Sequence, residues 1–310
     1  MTESTSLVLD TGRSRIDFSE KVAVMAILNA TPDSFFDRGR YYGDEKGVER
    51  AKELLAAGAD IVDIGGVKAA AGKPLPPERE TARVMPLLTE VRRITDVPIS
   101  IDTFLPEVAR ATLAAGADII NDISGLRDPR LIEEVARADA HLMIMHIAGP
   151  PRVWRDFRSY RDVTGEVVEF LADRVERAVA GGVKREKIIV DPGLDFDKDT
   201  PYSLELLRNL PELKRLGLPV LVAASRKDFI GEALGGLPPA ERMAGTAAAI
   251  AFSIVKGANV LRVHDVEFMG QVVRMMEAMT GMGRFSPDEI WSWWEPMRAS
   301  ILRGPPDYGS

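Results

Sequence analysis

Cysteine is absent from this 310-residue chain, which excludes disulfide bonds, thiolate nucleophiles and zinc sites built from thiolates. Histidine is scarce, because the chain has only three, and their positions give no metal-ligand spacing. A positive excess is also missing: the formal net charge is −7, so composition provides no basic surface for nucleic acid. Without a G-x-S-x-G motif, a serine triad is poorly supported as well.

Long apolar runs are lacking too. The longest, near residues 247–255, is too short to span a bilayer, so we expect no membrane association. The first 20 residues are polar and do not contain the apolar segment of a signal peptide. These features predict a soluble cytoplasmic protein.

The chain does contain short, almost continuously apolar runs that recur at intervals and alternate with helix-like segments. Such runs are typical of strands buried on both faces of a parallel sheet. The eight runs are 22–29, 60–66, 98–103, 117–123, 141–147, 187–192, 219–225 and 259–265. Eight strand–helix units predict an α/β protein with a (β/α)8 TIM barrel. An open doubly wound sheet is the alternative, but it usually has fewer strands, and no G-x-G-x-x-G follows the first run.

The repetition indicates one main domain, the barrel, over residues 21–283. Residues 1–20 are predicted to be a loose N-terminal arm. Residues 284–310 are predicted to form a C-terminal helix and tail, whose three tryptophans pack on the barrel or on a second subunit. The final residues, GPPDYGS, are expected to be disordered.

Polar residues are concentrated at the carboxyl ends of the predicted strands. In a (β/α)8 barrel these ends meet at one rim, where barrel enzymes carry their chemistry. Any one of these residues could be a solvated strand end, but their convergence favours a site. The residues are Asn29, Asp102, Asn121, Met145, His146, Asp191, Ser225, Arg226, Lys227, Arg262 and His264.

The chemistry of these polar residues indicates a class of ligand. Asp102, Asn121 and Asp191 supply the acceptors and the amide that a planar nitrogen heterocycle with several N–H groups requires. Lys227 and Arg262 follow the last two strands, which is the usual location of a phosphate site in this fold. The residues therefore predict a heterocyclic substrate that carries phosphate; for the basic residues, a solvated rim is the alternative.

The two remaining histidines lie at opposite ends of one predicted strand. His141 opens the fifth strand, so we expect it to face the far end of the barrel in a structural role. His146 closes that strand beside the predicted site, where it could contact the substrate.

Seven motifs, spread in order over the strands, make the chain resemble dihydropteroate synthases from about residue 22 to residue 280. They are ILNATPDSF, AGADIVDIGG, PISIDT, AGADIINDISG, DPG, ASRKDFIG and RVHDV. The family condenses a dihydropterin hydroxymethyl diphosphate with p-aminobenzoate in folate synthesis. Within the family, the chain is similar to the divergent second synthase-like proteins of actinobacteria, some of which are inactive.

The resemblance implies a role for each matching position. The implied pterin-binding residues are Asp102, Asn121, Met145, Asp191 and Lys227; the diphosphate-binding residues are Asn29, Arg262 and His264, with Asn29 beside a magnesium ion; and the p-aminobenzoate side consists of Ser225, Arg226 and Phe196. Phe35 and Asp37 match a mobile loop that covers the substrate and, with Asp102 and Lys227, are the implied catalytic residues. The implied mechanism is dissociative, with Mg²⁺ as cofactor and a homodimer as assembly.

The chain departs from the family in two loops. After the second strand, Ala69 and Ala70 occupy the positions of a threonine and an arginine. Losing one preorganised donor typically costs about 3–4 kcal/mol, so we expect weakened activity unless Lys68 or Lys73 compensates. Residues 194–198 replace a glycine-rich loop and add negative charge. The alternatives are an inactive paralogue that still binds pterin and anion outside folate synthesis, and a pterin-dependent methyltransferase, which SRKDFIG and RVHDV disfavour.

Overall fold

The computed structural model describes residues 7–30, 45–67, 72, 75–153 and 159–282. All eight predicted strands are present, seven of them within two residues of their expected bounds and the seventh, predicted at 219–225, shortened at its end by three residues. They are β3 (Ala23–Asn29), β4 (Ile61–Gly65), β5 (Ile99–Asp102), β6 (Ile119–Asp122), β7 (His141–Met145), β8 (Ile188–Asp191), β9 (Leu221–Val222) and β10 (Val260–Val263). A short hairpin, β1 (Val8–Asp10) and β2 (Arg15–Asp17), precedes them.

The eight strands form a parallel sheet in the order β8-β7-β6-β5-β4-β3-β10-β9. A parallel bridge between Val190 and Val220 joins the two edges, and the Val190 amide donates to the Pro219 carbonyl at 3.0 Å. Closure removes the sheet edges that would otherwise expose unpaired backbone groups. The predicted (β/α)8 barrel is therefore confirmed.

Helices follow the strands and cover the outside of the barrel. They are α1 (Glu45–Ala56), α2 (Pro77–Ile94), α3 (Pro106–Ala114), α4 (Pro129–Arg137), α5 (Val163–Ala180), α6 (Thr200–Arg208), α7 (Asp228–Ala233), α8 (Met243–Val255) and α9 (Val266–Thr280). No helix in the described ranges is long and apolar enough to cross a membrane.

Side chains alternate between the outside and the inside of the barrel along each strand, which produces two apolar layers. Outward side chains such as Val24, Val62 and Ile101 pack against the helices in one continuous cluster. Inward side chains such as Met25 and Ile119 fill the lower half of the barrel. The interior is thus packed at the amino-terminal end, and polar side chains are left for the carboxyl end.

The N-terminal segment corrects one prediction. From residue 7 onward it is not loose, because β1 and β2 pair antiparallel and place Leu9, Ile16 and Phe18 in the cluster that fills the barrel interior. His141 Nε2 lies 2.9 Å from the carbonyl oxygen of Asp10 and, since that oxygen only accepts, donates to it. The predicted structural role of His141 is confirmed.

The described barrel elements run from β3 to α9, inside the predicted barrel domain of residues 21–283. The predicted C-terminal helix and tail at 284–310, with the tryptophans, lie outside the described residues.

Candidate active site

A buried arginine lies at the centre of the carboxyl-end rim. Arg262, on β10, donates from Nε to Asp63 Oδ2 at 2.7 Å and from Nη2 to Asp102 Oδ2 at 2.9 Å. Its side chain is 18% exposed, whereas that of Asp63 is fully buried. The guanidinium therefore bridges two strands across the barrel mouth, and such charge-assisted bonds fix its plane. Burial lowers the pKa of Arg262, but Asp63 and Asp102 outweigh that effect and the pKa is raised overall.

Asp63 and Asp102, the two carboxylates that accept from Arg262, differ in their electrostatic environment and in their hydrogen bonds. Burial raises the pKa of Asp102 to about 7; Arg262 opposes this rise, and Asp63 and Glu80 add to it. Asp63 Oδ2 also accepts from Asn121 Nδ2 at 3.4 Å. Among the described residues, Asp63 Oδ1 has no hydrogen-bond partner although it is buried. One acceptor is thus left unused beneath the mouth, where most buried polar atoms would be bonded.

A second buried charge cluster surrounds the end of β8. Asp191 Oδ1 accepts the Gly193 amide at 2.7 Å; burial raises the pKa of Asp191, and Lys227 is the strongest opposing influence. The chain after Asp191 needs glycine, since Gly193 has φ 67° and a Cβ there would lie 2.1 Å from the His146 carbonyl oxygen. Lys198 donates to the carbonyls of Gly193 and Phe196, both at 2.8 Å, and burial lowers its pKa to about 7.

An apolar surface adjoins these charges. Ile123, Met145 and Ile147 form a small buried cluster at the ends of β6 and β7. Phe104 and Phe196 pack against it while remaining partly exposed. The ammonium of Lys227 lies 4.8 Å above the Phe196 ring, within the range of a cation–π interaction. A flat ring can therefore lie on this surface while its edge meets the carboxylates.

Ser225 and His264 form a third element of the rim. The Ser225 Oγ accepts the His264 amide at 3.2 Å and lies 3.0 Å from His264 Nδ1. Burial, aided by Arg262, lowers the pKa of His264 to about 4, so its imidazole is neutral near pH 7. We assign the Ser225 hydroxyl as donor to Nδ1, which leaves the proton on Nε2 as a donor for an anion.

Arg226 is engaged at the outer edge of the rim. Its Nε and Nη2 each donate at 2.8 Å to one carboxylate oxygen of Asp265, in a bidentate pair. Both side chains are about a quarter exposed. The hydrogen bonds from Arg226 lower the pKa of Asp265.

The upper end of β3 brings an amide oxygen beside a carboxylate. A Cβ placed on Gly65 would lie 3.8 Å from Asn29 Oδ1 and 3.9 Å from Asp102 Oδ2, so both oxygens border a space that any larger residue would fill. The described residues contain no group of three acidic or histidine side chains able to hold a metal by themselves. This donor set fits a Mg²⁺ ion that takes most of its ligands from phosphate oxygens and water.

Comparison with known proteins decides the family. The sequence profile of the family "Pterin binding enzyme" matches residues 25–264. A dihydropteroate synthase of Synechocystis sp. is 42% identical over 273 residues, which cover 87% of this chain and 94% of that protein. The chain belongs to the dihydropteroate synthase family. The predicted family and type of transferase are confirmed.

Two further relatives show the range within the dihydropteroate synthase family. A Mycobacterium leprae protein named inactive dihydropteroate synthase 2 is 43% identical over 270 residues, covering 85% of this chain and 92% of its own. The solved Xanthomonas albilineans dihydropteroate synthase with 4-aminobenzoic acid has a TM-score of 0.83 and 38% identity, covering 89% of this chain and 99% of that one. The expected similarity to inactive second synthases is therefore also confirmed.

The structure of this dihydropteroate synthase-family protein brings most of the predicted site residues to one rim. Those placed there are Asn29, Asp102, Asn121, Met145, Asp191, Phe196, Ser225, Arg226, Lys227, Arg262 and His264. Their individual roles stay predictions. Phe35, Asp37, Lys68, Ala69, Ala70 and Lys73 lie outside the described residues.

His146 is not part of this rim, so the suggestion that it contacts substrate is corrected. Its ring is buried and packs edge-on against Phe170 of α5 at 4.7 Å, with Tyr160 at 6.2 Å. Successive strand residues point to opposite faces, so His146 turns toward the helices while Met145 faces the interior.

Sequence reasoning did not identify Asp63, Glu80 or Lys198, which are charged and buried. Glu80, in α2, accepts from the Thr103 hydroxyl at 2.5 Å and ties that helix to the residue after Asp102. A usable signal existed for Asp63, because it is the one charged residue inside the apolar run 61–65.

Proposed function

We propose that this protein is a cytoplasmic dihydropteroate synthase-type enzyme of folate biosynthesis, with activity weakened by its loop after β4. It binds dihydropterin hydroxymethyl diphosphate and condenses it with p-aminobenzoate. The observation that carries this proposal is the rim itself: buried carboxylates and an amide beside an apolar surface, with Arg262 and His264 next to them.

The pterin ring is assigned to the inner half of the rim. Asp102, Asn121 and Asp191 would bind its N–H groups and ring nitrogens, because these side chains offer acceptors and an amide donor. Met145 would contact the ring face, as its buried position in the apolar cluster suggests. Because burial raises the pKa of Asp102 to about 7, the carboxyl is partly protonated near neutral pH, and the protonated form adds a donor to the set.

The diphosphate is assigned to Arg262, His264 and Asn29. Arg262 would exchange one carboxylate contact for phosphate oxygens, since its fork suits both groups. His264 would donate from Nε2. Mg²⁺ would be held by Asn29 and substrate phosphate, where it would supply charge neutralisation.

The proposed chemistry is dissociative. The carbon–oxygen bond breaks with its electron pair leaving on diphosphate, a cationic pterin methylene forms, and the arylamine nitrogen adds and loses a proton. Lys227 and Asp102 would act on the pterin, with Phe35 and Asp37 of the first loop covering it. Positioning and electrostatic stabilisation would supply most of the rate.

The p-aminobenzoate side is assigned to Ser225, Arg226 and Phe196. The Xanthomonas albilineans synthase was solved with 4-aminobenzoic acid, which is the same compound. In the present structure Arg226 is paired with Asp265, so its backbone and aliphatic stem remain available for the arylamine while its charge is engaged.

A second candidate is an inactive paralogue that binds pterin and anion without turnover. The specific observations behind it are Ala69 and Ala70 in the second loop and the similarity to an inactive dihydropteroate synthase 2. The buried charges at the rim favour a ligand in either case, because unused clustered charges reduce stability.

A homodimer is also proposed. Five of the seven large apolar side chains that are exposed in the described residues lie on α8 and α9. These two helices pack against each other, so their outward stripes form one surface, defined here as the α8–α9 face.

Calorimetry tests the function. The protein is titrated with dihydropterin diphosphate and Mg²⁺, then with p-aminobenzoate, and product is assayed in the same sample. We expect saturable binding of dihydropterin diphosphate and slow product formation. Asp102→Asn is the control that should not bind. Restoring the loop with Ala69→Thr and Ala70→Arg should raise turnover by about 100-fold or more, given the usual effect of one oriented donor. Binding without product in every variant supports the inactive paralogue; absence of binding contradicts both candidates.

A further inference from the structure

The loop after β8 holds two aspartates in a conformation that usually belongs to glycine. Asp195 has φ 63° and Asp197 has φ 54°. The left-handed region costs an L-residue about 1–2 kcal/mol, a cost that glycine does not have. Both side chains must therefore make contacts that offset the strain.

Asp195 makes such contacts with the start of α7. Its Oδ2 accepts the Asp228 amide at 2.7 Å, and both carboxylate oxygens lie 3.3 Å from the Phe229 amide. The residue at the N-cap of α7 is Lys227, whose side chain makes no capping bond. Asp195 thus caps α7 from another loop, and its own amide donates to Ser203 Oγ at 3.1 Å.

The neighbours of Asp195 hold the Lys227 side chain itself. Lys227 Nζ donates to the Leu194 carbonyl at 2.5 Å. The same ammonium lies 4.8 Å above the Phe196 ring. Residues 194–196 therefore surround Lys227 on three sides. The Leu194 carbonyl accepts from its ammonium, the Asp195 carboxylate binds the backbone amides of residues 228 and 229, and the Phe196 ring faces the ammonium.

We propose that Asp195 is a positioning residue that fixes Lys227 against Phe196 by capping α7 from the loop after β8. The consequence for pterin binding rests on the proposed function, in which Lys227 contacts the pterin. The contacts of Asp195 with α7 do not depend on it.

Electrostatics agree with this geometry. Burial lowers the pKa of Lys227, and Asp195 is the strongest influence that raises it, ahead of Asp191. The charged or titratable groups that face Lys227 are Asp191, Lys198, Asp195, Arg262, His264 and Asp228. Asp195 thus helps to keep the ammonium charged, and removing it should lower the pKa of Lys227 further.

Asp197 provides a matched control. It has the same residue type and a similar φ, but its Oδ2 accepts the amides of Ala148 at 3.0 Å and Gly149 at 3.2 Å, on the loop after β7. Its charge raises the pKa of Lys198, whereas the influences that raise the pKa of Lys227 are led by Asp195 and Asp191. Asp195→Gly and Asp197→Gly both relieve backbone strain, so both should fold.

The experiment follows the Lys227 ammonium by carbon NMR in lysine-labelled protein, with the signal assigned by its loss in Lys227→Arg. We expect a lower titration midpoint in Asp195→Gly and Asp195→Asn, and a smaller change in Asp197→Gly. Dihydropterin diphosphate should bind Asp195→Gly about tenfold more weakly, as is usual when a group that orients a ligand-binding side chain is lost.

Each outcome decides a separate point. Equal midpoints in Asp195→Gly, Asp197→Gly and the natural protein would overturn the proposal. A lowered midpoint confined to the Asp195 variants, in a protein that does not bind the pterin, would support the positioning role and contradict the proposed function. A lowered midpoint with an unchanged dissociation constant would overturn the link to pterin binding.

Discussion

At the scale of single residues, Arg262 is the shared cationic partner of two carboxylates, Asp63 and Asp102. Asp63 and Asp102 both lose their cationic partner in Arg262→Ala, and a buried carboxylate without a partner is strongly destabilising. We expect the free energy of unfolding to fall by about 3 kcal/mol, measured by urea denaturation near pH 8. Arg226→Ala is the control, because its pair with Asp265 is more exposed and should cost about 1 kcal/mol or less.

The same variant should show a distinct pH dependence. Burial raises the pKa of Asp102 to about 7, so the folded protein keeps a proton that the unfolded chain releases near pH 3.8. The unfolding free energy therefore decreases as pH rises from about 4 to 7. Because Arg262 lowers the pKa of Asp102, its removal extends that decrease above pH 7. The cost of Arg262→Ala should be smaller at about pH 5.5 than at pH 8; an equal cost at both would contradict the assigned role of Asp102.

How far the sequence predicts this site also depends on the residue. Asn29, Asp191 and Arg262 stand at strand ends, and the fold alone converges such positions on one rim. Asp63 lies one pleat deeper in β4, and its pairing with Arg262 depends on a contact between residues 199 positions apart. Lys198 is missed for a different reason: its two acceptors are backbone carbonyls of an irregular loop, which carry no sequence signature.

At the scale of elements, strands buried on both faces were the easiest to predict. Continuous apolar runs gave β3 to β10 because helices cover the outside of the barrel and side chains fill its inside. The run at 219–225 yields only Leu221–Val222 as β9, since its pairing with β8 is reduced to one bridge. The hairpin β1–β2 was missed because its strands have three residues each, with polar neighbours.

Substitutions in and beside the hairpin test whether it stabilises the fold by closing the amino-terminal end of the barrel. Phe18 is 3% exposed and packs in the cluster that fills the barrel interior, so Phe18→Ala should lower the unfolding free energy by about 3 kcal/mol. Arg13→Ala, which removes an ion pair to Asp118 from a side chain that is 45% exposed, should cost about 1 kcal/mol or less. Thermal and urea denaturation measure both. Because the hairpin lies at the opposite end of the barrel from the rim, pterin binding should be unchanged in folded Phe18→Ala. A weakened affinity for pterin would contradict a purely structural role of the hairpin.

At the scale of the whole molecule, the α8–α9 face carries five of the seven large apolar side chains that are exposed among the described residues. Val255 and Met279 are 61% and 67% exposed, which is more than a monomer usually allows for clustered large apolar side chains. On α9, Phe268, Met275 and Met279 recur at spacings of seven and four residues, so they line one stripe of the helix. Two copies related by a two-fold axis would bury this stripe against itself, as a self-complementary interface requires.

Charge placed on that stripe should separate the copies. Sedimentation equilibrium of the natural protein is expected to give a dimer, since a stable interface buries about 1,200–2,000 Å² and the face offers two helices from each copy. Phe268→Glu should shift the equilibrium to monomer, because pairing two copies would bury an unpaired carboxylate. Val153→Glu changes an apolar residue away from α8 and α9 whose exposure, 53%, is similar to the 46% of Phe268, and should leave the dimer intact. A monomer for the natural protein, or equal dissociation by both variants, would contradict the assignment of this face.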